Sequence, residues 1–169
     1  FNDPLRIQVA ASGTPLENID QSAYEAKNFL TKVNVLKHIL KDETMTKVLL
    51  FIDSKKMADL LHTHLEEDFG ESIGIIHGNK SQNYRFERID HFESGLHRIL
   101  IATSIISRGI DIQGITHVVN FDIPDNAEDY MHRIGRTGRA EAMGKSIALI
   151  GAKEATSFLA IEVLMEKEV

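Results

Sequence analysis

From Lys47 onward, the sequence alternates short apolar runs with segments of helical periodicity, and this alternation limits the possible folds more than any other feature. The runs are continuous in Val, Ile and Leu, which is typical of strands covered on both faces. Repeated strand–helix units favour a parallel sheet with right-handed crossovers. The predicted strands cover residues 47–52, 73–77, 98–103, 116–121 and 145–150.

The segments between these runs carry apolar residues at helical spacing. Helices are predicted over residues 28–41, 55–69 and 81–92, with a further helix starting near residue 125 and a last one from about Lys153. Ser81 can cap the third helix and Gly95 can end it. The residues expected to pack from the second and third helices are Met57, Leu60, Leu61, Leu65, Phe86, Ile89 and Phe92.

The 169 residues suit one domain with a sizeable core. Residues 1–20 are interpreted as a linker or first strand joined to an upstream domain, and residues 21–169 as the domain itself. The chain starts at Phe1 rather than methionine, so we expect it to be a piece of a longer protein. Its apolar runs are too short to cross a bilayer and no export signal is present, so the expected location is cytoplasmic.

Charge and cysteine content exclude several kinds of site. The chain has no cysteine, which removes disulfides, thiol nucleophiles and cysteine-bound zinc. We predict no metal site, because the two histidines His62 and His64 lie on different faces of a helix and the others are scattered. The net charge is −6, so any nucleic-acid site must be a local basic patch on an acidic background.

The stretch "HRIGRTGRAEAMGKS" (132–146) ends in Gly-Lys-Ser, the ending of a phosphate-binding Walker A loop. That loop requires another glycine five residues before Gly144, where this chain has Arg139. Gly-Lys-Ser also opens a predicted strand, whereas a phosphate loop opens a helix. We therefore predict that Gly144 forms a turn, that Lys145 lies at a strand edge, and that the chain has no triphosphate cradle of its own.

The same stretch contains closely spaced arginines near the end of a predicted helix. Asp125 or Asn126 can cap this helix, which places His132 and Arg136 one turn apart. Glycines at 135 and 138 each cost about 1 kcal/mol in a helix, which indicates a sharp turn or a close backbone approach. Guanidinium groups suit phosphate oxygens, although a solvated basic face with ordinary ion pairs would have the same pattern.

Four segments in this order resemble the motifs of DEAD-box RNA helicases. "VLLFIDSKKMADLL" (48–61) is similar to motif IV, "HGNKSQNYR" (77–85) to the segment with the Q-x-x-R motif, "ATSIISRGIDI" (102–112) to motif V, and "HRIGRTGR" (132–139) to the closing signature. The resemblance covers about residues 47–150 and concerns the second, C-terminal RecA-like domain. It implies an α/β fold, a RecA-like three-layer sandwich with a mostly parallel sheet flanked by helices.

The resemblance implies that ATP lies between this domain and an N-terminal RecA-like domain of the same protein, which holds most of the ATP and its Mg²⁺. Arg136 and Arg139 would then act as catalytic arginine fingers on the γ-phosphate. Asp111 would accept a hydrogen bond from the ribose, next to Gly109. His132 would link the closing signature to the other domain or to a neighbouring motif.

The resemblance also implies that single-stranded RNA crosses both domains and is held through its sugar-phosphate backbone, without sequence specificity. The implied contacts are Ser54, Lys55, Gly78, Arg85 and Thr103. Several of these have simpler interpretations. Ser54 and Thr103 can be helix caps, Lys55 a solvated side chain, and Gly78 only a turn.

Some residues of the motifs are expected to support the fold rather than to bind ligands. Gln82 and Arg108 would brace the motifs, and Arg133 would pair with acidic neighbours. Asn79 and Ser104 stand where the family commonly or frequently has aspartate, so each position keeps a hydrogen-bonding group but lacks a charge. The departures concern the strength of contacts between motifs.

The leading hypothesis is therefore the C-terminal half of an ATP-dependent RNA helicase that couples ATP turnover to local duplex unwinding. The isolated chain is expected to be a monomer without ATPase activity and without affinity for membranes. Two alternatives remain: a non-catalytic module that docks RNA or protein, and a translocase acting on DNA. The combination of Asp111, Arg136 and Arg139 argues against the first, because docking requires no γ-phosphate sensor.

Overall fold

The computed structural model describes residues 6–9, 18–104, 111–138, 143–165 and 169. Within these residues seven strands form one sheet in the order β1-β2-β7-β6-β3-β5-β4. The strands are β1 Arg6–Val9, β2 Ile19–Glu25, β3 Val48–Phe51, β4 Ile73–Ile76, β5 Ile99–Ala102, β6 His117–Asn120 and β7 Gly144–Ile150. Strands β2 to β7 are parallel, and β1 pairs antiparallel with β2.

Helices cover both faces of this sheet. They are α1 Phe29–Ile39, α2 Lys55–Phe69, α3 Gln82–Ser94, α4 Ala127–Ile134 and α5 Ala155–Met165, with a 3₁₀ turn at Gly70–Ser72. One apolar core joins α1 and α2 to the sheet, and a second core joins α3, α4 and α5 to the opposite face. The predicted three-layer sandwich with a mostly parallel sheet is confirmed.

The parallel strands give the sheet two distinct edges. The carboxyl edge is where the strands end, at residues such as Phe51 and Ala102. The amino edge is where they begin, at residues such as Val48 and Gly144. Each helix starts after the carboxyl edge and brings the chain back toward the amino edge. Loops that follow a strand therefore lie at the carboxyl edge, and loops that follow a helix lie at the amino edge.

The helix starts follow the capping chemistry expected from the sequence. Asn28, Ser54, Ser81 and Asn126 are N-caps, and each side chain accepts a hydrogen bond from the backbone N–H three residues later. Asn126 rather than Asp125 therefore caps α4. Gly95 ends α3 with φ of +87°, in the left-handed region that favours glycine. Both predictions for α3, its Ser81 cap and its end at Gly95, are confirmed.

Two residues predicted to pack against the sheet are exposed instead. Leu60 in α2 is 43% exposed and Phe86 in α3 is 56% exposed. The buried positions of α2 are Ala58, Leu61 and Leu65, whose spacing of three and four residues defines the inward face and leaves Leu60 outside it. Helical spacing alone is compatible with an inward face that contains Leu60 or with one that contains Ala58. The prediction did not include the small Ala58.

Gly144 does not form the predicted turn. It is the first residue of β7, which lies between β2 and β6 inside the sheet. A Cβ atom at Gly144 would lie 2.3 Å from the Gly138 backbone nitrogen and 2.3 Å from Thr137 Oγ1. The position therefore requires glycine because the chain after α4 passes against it. Lys145 follows within the strand, with an exposed side chain.

Across the described ranges, the helices are too short or too polar to cross a bilayer. The segment predicted as a linker or first strand, residues 1–20, contains β1 and the beginning of β2. Both strands are part of the sheet, while the division of the chain at residue 20 stays a prediction.

Candidate functional site

The carboxyl edge brings together three of the residues predicted to bind RNA. The Ser54 hydroxyl caps α2, accepting a hydrogen bond from the Met57 N–H at 3.3 Å. Lys55 extends across the edge and donates from Nζ to Asn79 Oδ1 at 3.4 Å. A Cβ atom at Gly78 would lie 3.2 Å from both Cε and Nζ of Lys55. Gly78 therefore leaves room for the Lys55 ammonium, which lies over the loop after β4.

Arg85 and Thr103 lie on the elements next to this surface. Arg85 is in the first turn of α3 and donates to Gln82 Oε1 at 2.5 Å, so Gln82 braces Arg85 within one helix. The Arg85 Nε atom is buried and has no hydrogen-bond partner within the part of the chain that the structure describes. Thr103 directly follows β5 and is only 4% exposed, which restricts any contact it makes to a small area.

The candidate ATP-binding residues lie elsewhere, toward the amino edge. Asp111 is exposed and begins the segment that leads into β6. Arg136 is half-buried in the turn that follows α4. The two segments are joined where the Thr137 hydroxyl donates to the Ile115 carbonyl at 2.6 Å. His132 is exposed on α4, one turn before Arg136. Asp111 and Arg136 thus belong to two loops that this hydrogen bond joins at the amino edge of the sheet.

Tight backbone packing explains the glycine after Arg136. Gly138 has φ of +69°, and a Cβ atom there would lie 2.8 Å from Ile19 Cγ1 and 2.9 Å from the Asn18 carbonyl oxygen. The Gly144 N–H also donates to that Asn18 oxygen at 2.7 Å. The turn after α4 is therefore pressed against the start of β2 and β7. This packing sets where the chain carries Arg136.

The predicted residues thus form two groups at opposite edges of the sheet, with α4 running between them. The sequence indicated which residues belong to a site, but it did not indicate this separation. Three residues to which a role was assigned, Gly109, Arg139 and the bracing Arg108, lie outside the described residues.

Arg133 connects α4 to the carboxyl edge from inside the protein. It is 5% exposed, and its Nη2 donates to Asp53 Oδ1 at 2.8 Å and to Ser104 Oγ at 2.5 Å. Its Nη1 donates to the Asp122 carbonyl at 2.9 Å. The guanidinium carbon lies 5.3 Å from the centre of the Phe51 ring, within the range of a cation–π contact. The predicted pairing of Arg133 with an acidic neighbour is confirmed.

A second buried cation was missed by the sequence analysis. Lys32 is 5% exposed and donates to the Phe121 carbonyl at 2.6 Å and to Glu154. Its Nζ lies 3.8 Å from Asp122, a carboxylate whose pKa is raised above its ordinary value, chiefly because burial disfavours the charged form. The available signal was a lysine at position 32, directly before Val33 and three residues after Phe29, on the inward side of an amphipathic helix.

A cavity of about 350 Å³ opens beside this cluster, at the carboxyl ends of β3, β6 and β7. Open α/β sheets bind ligands at such an edge. Its apolar walls include Phe29, Ile52, Met57 and Phe121. Among the described residues, no group of three His, Asp or Glu side chains is arranged to hold a metal ion.

Comparison with known protein families gives a match to the helicase conserved C-terminal domain over residues 31–141. The chain is 46% identical over 117 residues to the ATP-dependent RNA helicase DBP2 of Gibberella zeae, covering 68% of this chain and 21% of that protein. It is 37% identical over 169 residues to the RNA helicase CrhR of Synechocystis, covering 100% of this chain and 34% of that protein. The chain thus spans about a fifth to a third of the length of these relatives.

Solved structures share the fold. The E. coli DEAD-box protein SrmB, bound to regulator of ribonuclease activity A, superposes with a TM-score of 0.82 at 32% identity, covering 87% of this chain and 86% of that one. S. cerevisiae Dbp5 bound to RNA and ADP BeF3 gives a TM-score of 0.82 at 30% identity, covering 94% and 43%. The chain belongs to the family of helicase conserved C-terminal domains and is a C-terminal helicase domain of the DEAD-box RNA helicases.

Proposed function

We propose that this domain is the C-terminal half of an ATP-dependent RNA helicase, in which the amino-edge group faces ATP and the carboxyl-edge group faces RNA. Arg136 and Arg139 act as arginine fingers on the γ-phosphate, and Asp111, beside Gly109, accepts a hydrogen bond from the ribose. His132 contacts the other domain or a neighbouring motif. The coupled result is ATP turnover that drives local unwinding of an RNA duplex.

The observation that carries this proposal is the hydrogen bond between Thr137 and Ile115 at 2.6 Å. It ties the turn containing Arg136 to the segment that begins at Asp111, although these residues come from two motifs that lie apart in the sequence. A cation and a carboxylate held on neighbouring loops match the two kinds of group that a nucleoside triphosphate presents, phosphate oxygens and ribose hydroxyls. Guanidinium groups stabilise the charge that spreads over the transferred phosphoryl group.

ATP and its Mg²⁺ would be held mainly by an N-terminal RecA-like domain of the same protein. The reason is chemical, because this chain has Arg139 where a Walker A loop requires its first glycine, and its Gly-Lys-Ser begins a strand. The binding pocket is then completed only when the two domains close. Closure is a shift in population toward the state that binds ATP and RNA together. The chain alone is accordingly inactive as an ATPase.

RNA would be held through its sugar-phosphate backbone at Ser54, Lys55, Gly78, Arg85 and Thr103. Lys55 and Arg85 give this edge positive charge, whereas the chain as a whole carries −6. Contacts of this kind position a nucleic acid without reading its sequence. We propose that the protein acts as a monomer on RNA irrespective of sequence.

The decisive variants are Arg136→Ala and Arg136→Lys in the full-length protein. Arg136→Ala is expected to reduce the RNA-stimulated kcat for ATP by about 10³-fold or more, because removing an arginine finger removes stabilisation of the transition state. ATP affinity is expected to stay within a few-fold, since the loss concerns the transition state rather than the ground state. Arg136→Lys retains the charge without the forked geometry and is expected to restore only a small part of the rate.

Steady-state ATP hydrolysis with and without single-stranded RNA measures the rate, and binding of a fluorescent nucleotide measures the affinity. Normal hydrolysis by Arg136→Ala would refute the finger. If DNA oligomers displace bound RNA as well as RNA oligomers of the same length do, the result would instead favour the DNA translocase.

A further inference from the structure

The buried Arg133 guanidinium requires a negative partner, and the structure shows which residue supplies it. Serine stands at 104, two residues after the end of β5, and its hydroxyl is neutral. The negative charge comes from Asp53, one loop away, whose Oδ1 lies 2.8 Å from Arg133 Nη2. The Ser104 hydroxyl bridges the pair, accepting from Arg133 at 2.5 Å and donating to Asp53 at 3.4 Å.

The Asp53 backbone is itself held at the carboxyl edge. Its N–H donates to the Asp122 carboxylate at 2.8 Å, while Arg133 donates to the carbonyl of the same Asp122 at 2.9 Å. Asp53 and Arg133 therefore share a second partner in the loop after β6. The side chain of Arg133 is 6% exposed and that of Asp53 is 52% exposed, so the pair reaches from the interior to the surface where Ser54 and Lys55 lie.

We propose that Asp53 is a positioning residue, which fixes α4 to the RNA-facing loop and thereby sets the place of Arg136 when RNA is bound. Arg133 is in the last turn of α4 and Arg136 is in the turn that follows, where the Arg136 N–H donates to the Arg133 carbonyl at 3.2 Å, so a shift of Arg133 is passed directly to Arg136. On the other side, Asp53 immediately precedes Ser54 and Lys55. The connection between the RNA-facing loop and Arg136 thus consists of the Asp53–Arg133 ion pair and the end of α4. The negative charge of this ion pair is at residue 53 rather than at residue 104.

This inference rests on the proposed function, and it is tested in the full-length protein with four variants. Asp53→Asn removes the charge but keeps the shape of the side chain. It is expected to lower the RNA-stimulated kcat about tenfold, within the range typical of coupling between sites, while the KM for ATP changes less than about twofold. The kcat is calculated per mole of protein that binds the fluorescent nucleotide, so a role confined to folding, which lowers only the amount of folded enzyme, would leave it unchanged.

The matched control is Asp68→Asn. Asp68 is 50% exposed and pairs with Lys37 at 3.2 Å, so it has nearly the exposure and the partner type of Asp53, but it lies on α2 away from both candidate surfaces. Its kcat is expected to equal that of the wild type. A reduction as large as that of Asp53→Asn would overturn the assignment.

Moving the charge gives the sharpest comparison. The double variant Asp53→Asn with Ser104→Asp places a carboxylate where the Ser104 hydroxyl already contacts Arg133, and it is expected to recover at least half of the wild-type kcat. If Asp53→Asn is too unstable to assay, the comparison is between Ser104→Asp and the double variant, which are expected to have equal kcat because the charge at 53 has become redundant. A double variant as impaired as Asp53→Asn, or clearly below Ser104→Asp, would overturn the inference.

The two proposals fail in different ways. An active Arg136→Ala protein would refute the proposed function. An inactive Arg136→Ala protein combined with a fully RNA-stimulated Asp53→Asn protein would leave the arginine finger in place and refute only the role of Asp53.

Discussion

Gly144→Ala tests how tightly the turn that carries Arg136 is packed. Gly144 starts β7, and an added Cβ would lie 2.3 Å from the Gly138 nitrogen, 2.3 Å from Thr137 Oγ1 and 2.7 Å from Thr137 Cγ2. Non-bonded atoms prefer separations of about 3.5 Å or more, so the turn or the strand must move by about 1 Å. The Gly138 nitrogen is backbone, and no change of rotamer moves it away.

The cost can be estimated from the cost of overpacking. Inserting a methyl group into a packed site typically destabilises a protein by about 1–3 kcal/mol, and a clash with a backbone nitrogen and with the buried Thr137 side chain belongs at about 3 kcal/mol. For a domain of this size each kcal/mol lowers the melting temperature by about 2–4 °C. Gly144→Ala is therefore expected to lower the melting temperature by about 6–12 °C.

Gly95→Ala is the matched control, because it separates backbone strain from close packing. Gly95 has φ of +87° but nothing within 4 Å of an added Cβ, so only the left-handed backbone opposes alanine. That strain is expected to cost about 1–2 kcal/mol. Urea unfolding of both variants of the 169-residue chain gives the two free energies. A Gly144→Ala protein that is as stable as Gly95→Ala, or more stable, would refute the close approach inferred here.

Three further perturbations test other parts of the account. Lys32→Met leaves two partly buried carboxylates, Asp122 and Glu154, without their buried cation and is expected to destabilise the domain by about 3 kcal/mol. Lys37→Met, which breaks two more exposed pairs, is expected to cost less than about 1 kcal/mol in urea unfolding; equal costs would contradict the burial of Lys32. Arg85→Ala is expected to weaken RNA binding and reduce the salt slope of log K by about 1, whereas Arg88→Ala, one turn later, is expected to leave the slope unchanged; an unaltered slope for Arg85→Ala would count against a phosphate contact. Burial lowers the pKa of His97 below its ordinary 6.5, so the unfolded chain takes up its proton first and stability is expected to decrease as the pH falls through 6.5. His97→Gln should flatten this decrease, and a pH profile of stability that the substitution leaves unaltered would refute the lowered pKa.

Local chemistry made most of the fold predictable. The bounds of α2, Lys55 to Phe69, are those predicted, since Ser54 provides a cap that is visible in the sequence and the apolar run before it ends in a polar segment. The strands β3 to β7 were predicted to within one residue at each end because each is rich in branched apolar residues. Strand β2 was not predicted, because its sequence, IDQSAYE, contains no continuous apolar run. Leu60 was predicted to be buried because helical spacing indicates which side of a helix faces inward but not how wide the buried face is. Only packing against the sheet selects Ala58 over Leu60.

The site was predictable in its members but less so in its arrangement. The motifs named Arg133 as paired with a carboxylate, but its partner Asp53 lies 80 residues earlier in the chain, and no local pattern selects it. Lys32 and Glu154 are 122 residues apart and meet only because the loop after β7 returns beside α1. The sequence predicts a turn at Gly144 because it cannot show that the Gly138 backbone lies within 3 Å of the place that a Cβ at residue 144 would occupy.

The central claim is that this domain supplies cations to a triphosphate held by another domain. ATP hydrolysis by the 169-residue chain, assayed with and without single-stranded RNA, tests the claim directly. We expect no turnover above the buffer blank in either condition, because the proposed arginine fingers act on a triphosphate that this chain, whose sequence contains no Walker A motif, does not itself hold. RNA-stimulated turnover by this chain alone, abolished by Arg136→Ala, would contradict the claim, since the domain would then contain a complete site.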